Sequence, residues 1–151
     1  MMGYRKDADA VAGLFVDNQI HRDAYISEEI FQLEQERVFA RSWLYVGHES
    51  QVPAIGDYIT LDLAGSPVIM IRNTDDSVRV LINRCAHKGA GVLSQPKGNA
   101  GRMLRCPYHA WCYKTDGSLL AVSLKAGYED TGLDQSPASQ GMSTPGGVAT
   151  T

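Results

Sequence analysis

The chain has 151 residues, a net charge of −3 and a hydrophobic fraction of 44%. That excludes a large two-domain enzyme but suffices for one domain or a little more, hiding roughly 70% of its unfolded surface. No run approaches the roughly 20 apolar residues of a membrane helix, and no apolar stretch follows the charged start Met1–Asp7, so neither export nor membrane insertion is expected. A cytoplasmic protein without a nucleic-acid partner is expected. Three cysteines are too few and too odd for a disulfide scaffold, so they read as metal ligands, redox groups or core residues.

Residues 1–23 read as an irregular lead-in. Ser27 can cap a helix over about 27–40, with Glu28 and Glu29 in its first turn and Ile26 and Phe31 placed for a hydrophobic staple. Strands follow. Trp43–Gly47 is a short apolar run, and Ile59, Leu61 and Leu63 alternate with polar residues. Gly65-Ser66 turns the chain into Pro67–Arg72, and the cluster at 73–76 turns it into Val78–Asn83. Arg102–Arg105 and Ala110–Lys114 are shorter strands, and Asp116-Gly117 marks a hairpin turn into Leu119–Val122. Many short strands at close spacing predict a mainly β fold, a small barrel or sandwich with an N-terminal helix. The domain limits read as a lead-in and helix over 1–42, a β domain over 43–131 and a tail over 132–151. Twelve of the last 20 residues are Gly, Ser, Thr or Pro, which predicts disorder there.

Cys85 and His87 are followed, after 18 intervening residues, by Cys106 and His109. Each pair follows a strand and sits in a loop rich in Gly or Pro. Brought together, the loops offer two thiolates and two imidazoles, which suit zinc or iron–sulfur alike. One Cys and one His from each loop fits the split coordination of a Rieske centre, with two Cys on one iron and two His on the other. A zinc finger usually pairs Cys with Cys and His with His in sequence, but a zinc-binding structural module stays open. All four residues lie in the window Arg84–Lys114, which holds six bases (Arg84, Lys88, Lys97, Arg102, Arg105, Lys114) and no acid, so the rest of the chain carries −9. Cys112 reads as a small core residue. His21 and His48 read as structural or surface histidines, Trp111 and Tyr108 as shields against water, and Gly89, Gly91, Gly98 and Gly101 as turn residues.

The stretches Asn83-Arg84-Cys85-Ala86-His87-Lys88-Gly89 and Cys106-Pro107-Tyr108-His109-Ala110-Trp111 resemble the two Rieske loops of the alpha subunit of aromatic-ring-hydroxylating dioxygenases. The likeness extends to His21–Tyr25, the helix up to Trp43, Val46–Ser50, Gly56–Tyr58 and Leu124–Glu129, covering about residues 15–132. The gap between the loops is slightly longer than usual in that family. The resemblance implies a Rieske fold and a [2Fe-2S] cluster bound by Cys85, His87, Cys106 and His109. Cys85 and Cys106 would hold the inner iron, His87 and His109 the outer one. Respiratory-chain Rieske proteins carry an extra cysteine in each loop where this chain has Ala90 and Tyr108, so the low end of the Rieske range, around −150 mV, is expected. Two ferric ions, two sulfides and two thiolates sum to zero, so the basic window would favour the reduced, singly negative cluster and steer an acidic donor.

The resemblance further implies a reductase or ferredoxin drawing on NAD(P)H as electron donor, and a beta subunit and homotrimer as assembly partners. It also implies a mononuclear Fe(II), held by two His and a carboxylate in a second domain, that adds O₂ to an aromatic substrate. Residues 47–49 and 125–128 resemble members acting on benzoate, anthranilate or salicylate. After Gly132 no His remains and Asp134 is the only acid, so no oxygen-activating site or catalytic residue is expected here. The expectation is an electron-transfer part of such an enzyme, truncated and without oxygenase activity alone. A stand-alone Rieske ferredoxin is the alternative, although ferredoxins generally lack the N-terminal helix and the Leu124–Glu129 segment.

Overall fold

In the computed structural model, which describes residues 3–128 and 141–144, residues 1–43 and 44–151 form separate units. The lead-in carries regular structure that its composition did not predict. Asp7 Oδ1 accepts the N–H of Asp9 and Ala10 at 3.1 and 3.0 Å and caps α1 (Ala8–Ala12). Asp17 and Asn18 take left-handed conformations (φ 48° and 60°), the turn that joins β1 (Phe15–Val16) to β2 (Gln19–Ile20). After α2 (Asp23–Ile26), Ser27 caps α3 (Glu28–Arg37), its hydroxyl accepting the Ile30 N–H at 3.5 Å. The helix stops at Arg37, short of the expected 40, because Phe39–Arg41 tighten into a 3₁₀ turn. Ile30 and Leu33 bury against Leu14, whereas Ile26 and Phe31, the expected staple, are more than half exposed.

The second unit contains two antiparallel sheets. β3 (Asp57–Leu63), β4 (Ser66–Arg72), β5 (Val78–Ile82) and β6 (Lys97–Asn99) pair in the order β5-β4-β3-β6. β7 (Met103–Arg105), β8 (Cys112–Lys114) and β9 (Leu119–Ala121) pair in chain order. The unbroken apolar run Val68–Ile71 follows from burial on both faces of β4. Ile69 and Ile71 join Leu81, Leu104, Trp111, Tyr113 and Leu119 in the main core, while Val68 and Met70 pack with Val52 and Val80 on the other side. The mainly β expectation holds.

Further local expectations fail. Trp43–Gly47 forms no strand; it finds no partner strand among the described residues, and Trp43 and Tyr45 are largely exposed. Gly98 lies in a strand rather than a turn. It pairs with Tyr58, whose hydroxyl would stand 2.9 Å from any Cβ there, so glycine admits the ring. Gly89 and Gly101 do occupy left-handed turns, and Gly91 does not.

The expected disordered tail lies mostly outside the described residues. Its described part, Gly141–Thr144, is packed: Met142 is buried in the main core, its N–H donates to the Gly117 carbonyl, and Ile82 on β5 donates to the Ser143 carbonyl, both at 2.8 Å. One apolar side chain in a low-complexity stretch suffices for this anchor. Among the described residues no helix is long and apolar enough to cross a membrane.

Candidate metal centre

Both candidate loops grow from strand ends. Cys85 follows β5 and Cys106 follows β7 directly. The two loops share one backbone design. The N–H of Cys85 donates to the Ala90 carbonyl and Gly89 donates back to the Cys85 carbonyl, at 2.8 and 2.9 Å. In the same way Cys106 donates to Trp111 and Ala110 donates back to Cys106, at 2.8 and 3.0 Å. The residue four places after each cysteine is left-handed, Gly89 at φ 72° and Ala110 at φ 57°. Asn83 closes the first loop: its Oδ1 accepts the N–H of Val92 and Leu93 at 2.9 and 3.0 Å, and its Nδ2 donates to the Leu93 carbonyl at 2.7 Å.

The four predicted residues are brought to one end of the second unit. Cys85 and Cys106 are buried in the main core, 3% and 2% exposed. His87 and His109 are half-buried, their rings 4.7 Å apart at 69°. Trp111 stacks on His87 at 4.8 Å and 5°, and Tyr108 lies against His109 at 3.8 Å. Shielding therefore falls to Trp111, which is buried, while Tyr108 is 63% exposed. Among the described residues no group of three or more His, Cys, Asp or Glu is placed to hold a single ion.

The residues fit a two-iron cluster on one internal observation. His87 Nδ1 is buried and has no hydrogen-bond partner among the described residues, a cost that a metal would remove. Burial first, then His109 and Lys88, hold the His87 imidazole below its ordinary pKa, keeping it neutral as ligation requires. Tyr113, inward on β8, accepts the Ala86 N–H at 3.1 Å and stands 2.9 Å from Cys85 Sγ, so its O–H is left to donate to the sulfur. Burial first, then this bond to Cys85, raise the phenol pKa well above its usual range, so it remains a donor.

Sequence reading did not single out Tyr113 or Ser123, and it quoted Tyr128 only as part of the Leu124–Glu129 likeness, with no role at the site. Strand alternation from the buried Trp111 was the available signal for Tyr113, two places on. Tyr128 reaches His87 Nε2 at 3.4 Å, and the Ser123 hydroxyl donates to the His109 carbonyl at 2.5 Å. Cys112 lies outside both loops, partly buried, its thiol 3.5 Å from the Ala110 carbonyl. His21 and His48 are local caps: His21 accepts the Asp23 N–H and His48 the Ser50 N–H, both at 3.2 Å. All six bases of the 84–114 window are exposed, and none forms an ion pair among the described residues.

Comparison with known proteins extends the picture. The Rieske [2Fe-2S] domain model matches residues 42–129. Benzene 1,2-dioxygenase subunit alpha of Pseudomonas putida is 45% identical over 102 residues, 68% of this chain and 22% of that protein. Anthranilate 1,2-dioxygenase large subunit of Acinetobacter baylyi is 37% identical over 110 residues, 73% of this chain and 23% of its own length. The crystal structure of naphthalene 1,2-dioxygenase from Rhodococcus sp. bound to indole superposes with a TM-score of 0.77 at 28% identity, covering 91% of this chain and 30% of that one. The chain thus spans between a fifth and a quarter of the length of these curated relatives.

Proposed function

Because the chain belongs to the Rieske [2Fe-2S] family, we propose that it carries electrons from a reductase or ferredoxin toward a mononuclear iron that these 151 residues do not hold. Its relatives are alpha subunits of dioxygenases, which are oxidoreductases, and the domain is of the kind that binds a [2Fe-2S] cluster. When bound, the cluster supplies reversible one-electron storage. Cys85 and Cys106, buried in the core, would hold one iron as thiolates, and the half-buried His87 and His109 would hold the other through ring nitrogens. Trp111 covers the His87 face and keeps water from it. The exposed bases of the 84–114 window attract an acidic donor protein, an ionic-strength-dependent effect.

The observation that carries this reading is His87 Nδ1, buried and without a hydrogen-bond partner among the described residues, beside His109, on two loops whose cysteines are both buried. Aromatic substrates, a beta subunit and a trimer belong to the complete enzyme in this reading. The benzene- and anthranilate-oxidising relatives support an aromatic substrate class. The 1–151 chain alone is expected to be redox-active and not to hydroxylate. Iron, sulfide and zinc analysis with EPR before and after dithionite tests this. Two iron and two sulfide per chain, EPR-silent until reduced, is the expected result. A colourless protein holding zinc, with no signal on reduction, overturns it.

A further inference from the structure

One short segment grips both loops. Beyond β9 the chain runs through Ser123 and Leu124 into the 3₁₀ turn Lys125–Tyr128. Ser123 holds the second loop by its hydroxyl bond to the His109 carbonyl, and Tyr128 meets the first at His87 Nε2, 3.4 Å away. The Tyr128 ring also stands edge-on to His87 and to Trp111, with centroids 6.3 and 5.7 Å apart at 80° and 77°.

The geometry points to Tyr128 as a positioning residue for His87: its hydroxyl accepts the Nε2–H and fixes the ring so that Nδ1 presents its lone pair inward. The inference rests on the cluster assignment above. Stacking on Trp111 fixes the plane of the imidazole but leaves the 180° flip about Cβ–Cγ that exchanges Nδ1 with Cδ2, and a contact at Nε2 removes it. A neutral imidazole that ligates through Nδ1 carries its hydrogen on Nε2, so the bond runs from His87 to Tyr128. An acceptor on that outer nitrogen makes the ring a stronger electron donor, as outer partners of ligating histidines do. Tyr128 thereby favours the oxidised, ferric state.

The test uses the 1–151 holoprotein and Tyr128→Phe, read by EPR-monitored redox titration and by pulsed EPR of the histidine nitrogens. Tyr128→Phe should keep the cluster, alter the nitrogen couplings and shift the reduced-to-oxidised ratio at fixed poise two- to threefold toward reduced. That is a midpoint rise of about 20–30 mV at 59 mV per tenfold for one electron. Tyr128→Gln, which restores an acceptor without the phenol ring, should return the midpoint toward wild type and decides the matter if the Phe variant does not fold. An unmoved midpoint with unchanged couplings in Tyr128→Phe, or a Gln variant that shifts as far upward, overturns the role while leaving the wild-type cluster reading intact. A wild-type chain without a cluster overturns both.

Discussion

Tyr113→Phe removes one oxygen from the floor of the centre and leaves the ring that fills it. The lost O–H donates to Cys85 Sγ at 2.9 Å from a fully buried position. A hydrogen bond to a charged acceptor contributes roughly 1.5–3 kcal/mol. Reduction adds one negative charge shared by the ligating sulfurs, so we take a third to a half of that value, about 0.5–1.5 kcal/mol, as the part specific to the reduced state. At about 59 mV per 1.36 kcal/mol for one electron, the midpoint should fall by about 20–65 mV. The sign is opposite to that expected for Tyr128→Phe, because Tyr113 donates to a ligand whereas Tyr128 accepts from one. The Ala86 N–H also loses its acceptor, so the variant should unfold more easily by about 1–3 kcal/mol. Redox titration gives the first number and denaturant unfolding of the holoprotein the second. A midpoint unchanged or raised in a folded variant refutes the argument, since it means that the phenol does not stabilise the added charge.

Other perturbations address the scaffold. Ala110→Gly should raise the melting temperature by about 2–6 °C: a left-handed alanine costs roughly 1–2 kcal/mol, partly offset by the greater chain entropy of glycine, and a lower melting point would contradict that strain. Asn83→Ala removes three hydrogen bonds closing the first loop and should cost about 3 kcal/mol and speed iron loss; under about 1 kcal/mol in chemical unfolding would show the loop to be held otherwise. The Ser77 side-chain and backbone bonds first, then Asn73 and Arg79, lower the Asp75 pKa to about 2 from 3.8. A folded pKa below the unfolded one gives stability that is present above about pH 4 and lost as pH falls through about 2. NMR titration should find the Asp75 midpoint near 2, and Asp75→Asn should flatten that acid limb.

What was legible in the sequence had local causes. The Val68–Ile71 run reads as a strand because both faces of β4 are covered, and Asp116-Gly117 reads as a turn because Gly117 sits at φ 91° between β8 and β9. The Cys and His spacing named the ligand candidates because each pair lies within one loop. The remainder depends on long-range partners. β6 is polar and glycine-containing, and only its pairing with β3 makes it a strand. Tyr113 lies 28 residues from Cys85 and Tyr128 lies 41 from His87, so no window of sequence joins them. The lead-in escaped notice because its elements are only two to five residues long, too short for periodicity to register.

The anchor at Met142 bears on where an expression boundary is drawn. The family match ends at residue 129, and a chain cut there loses Met142, which is buried in the same core cluster as Leu81 and bonded through its backbone to Gly117. Emptying a core site of that size costs about 2–5 kcal/mol. The cut also strips the Ser143 carbonyl from Ile82, baring an amide on the outer strand of the four-stranded sheet. Unpaired strand edges recruit other chains, so the shortened protein should yield inclusion bodies where one ending after Thr144 stays in solution.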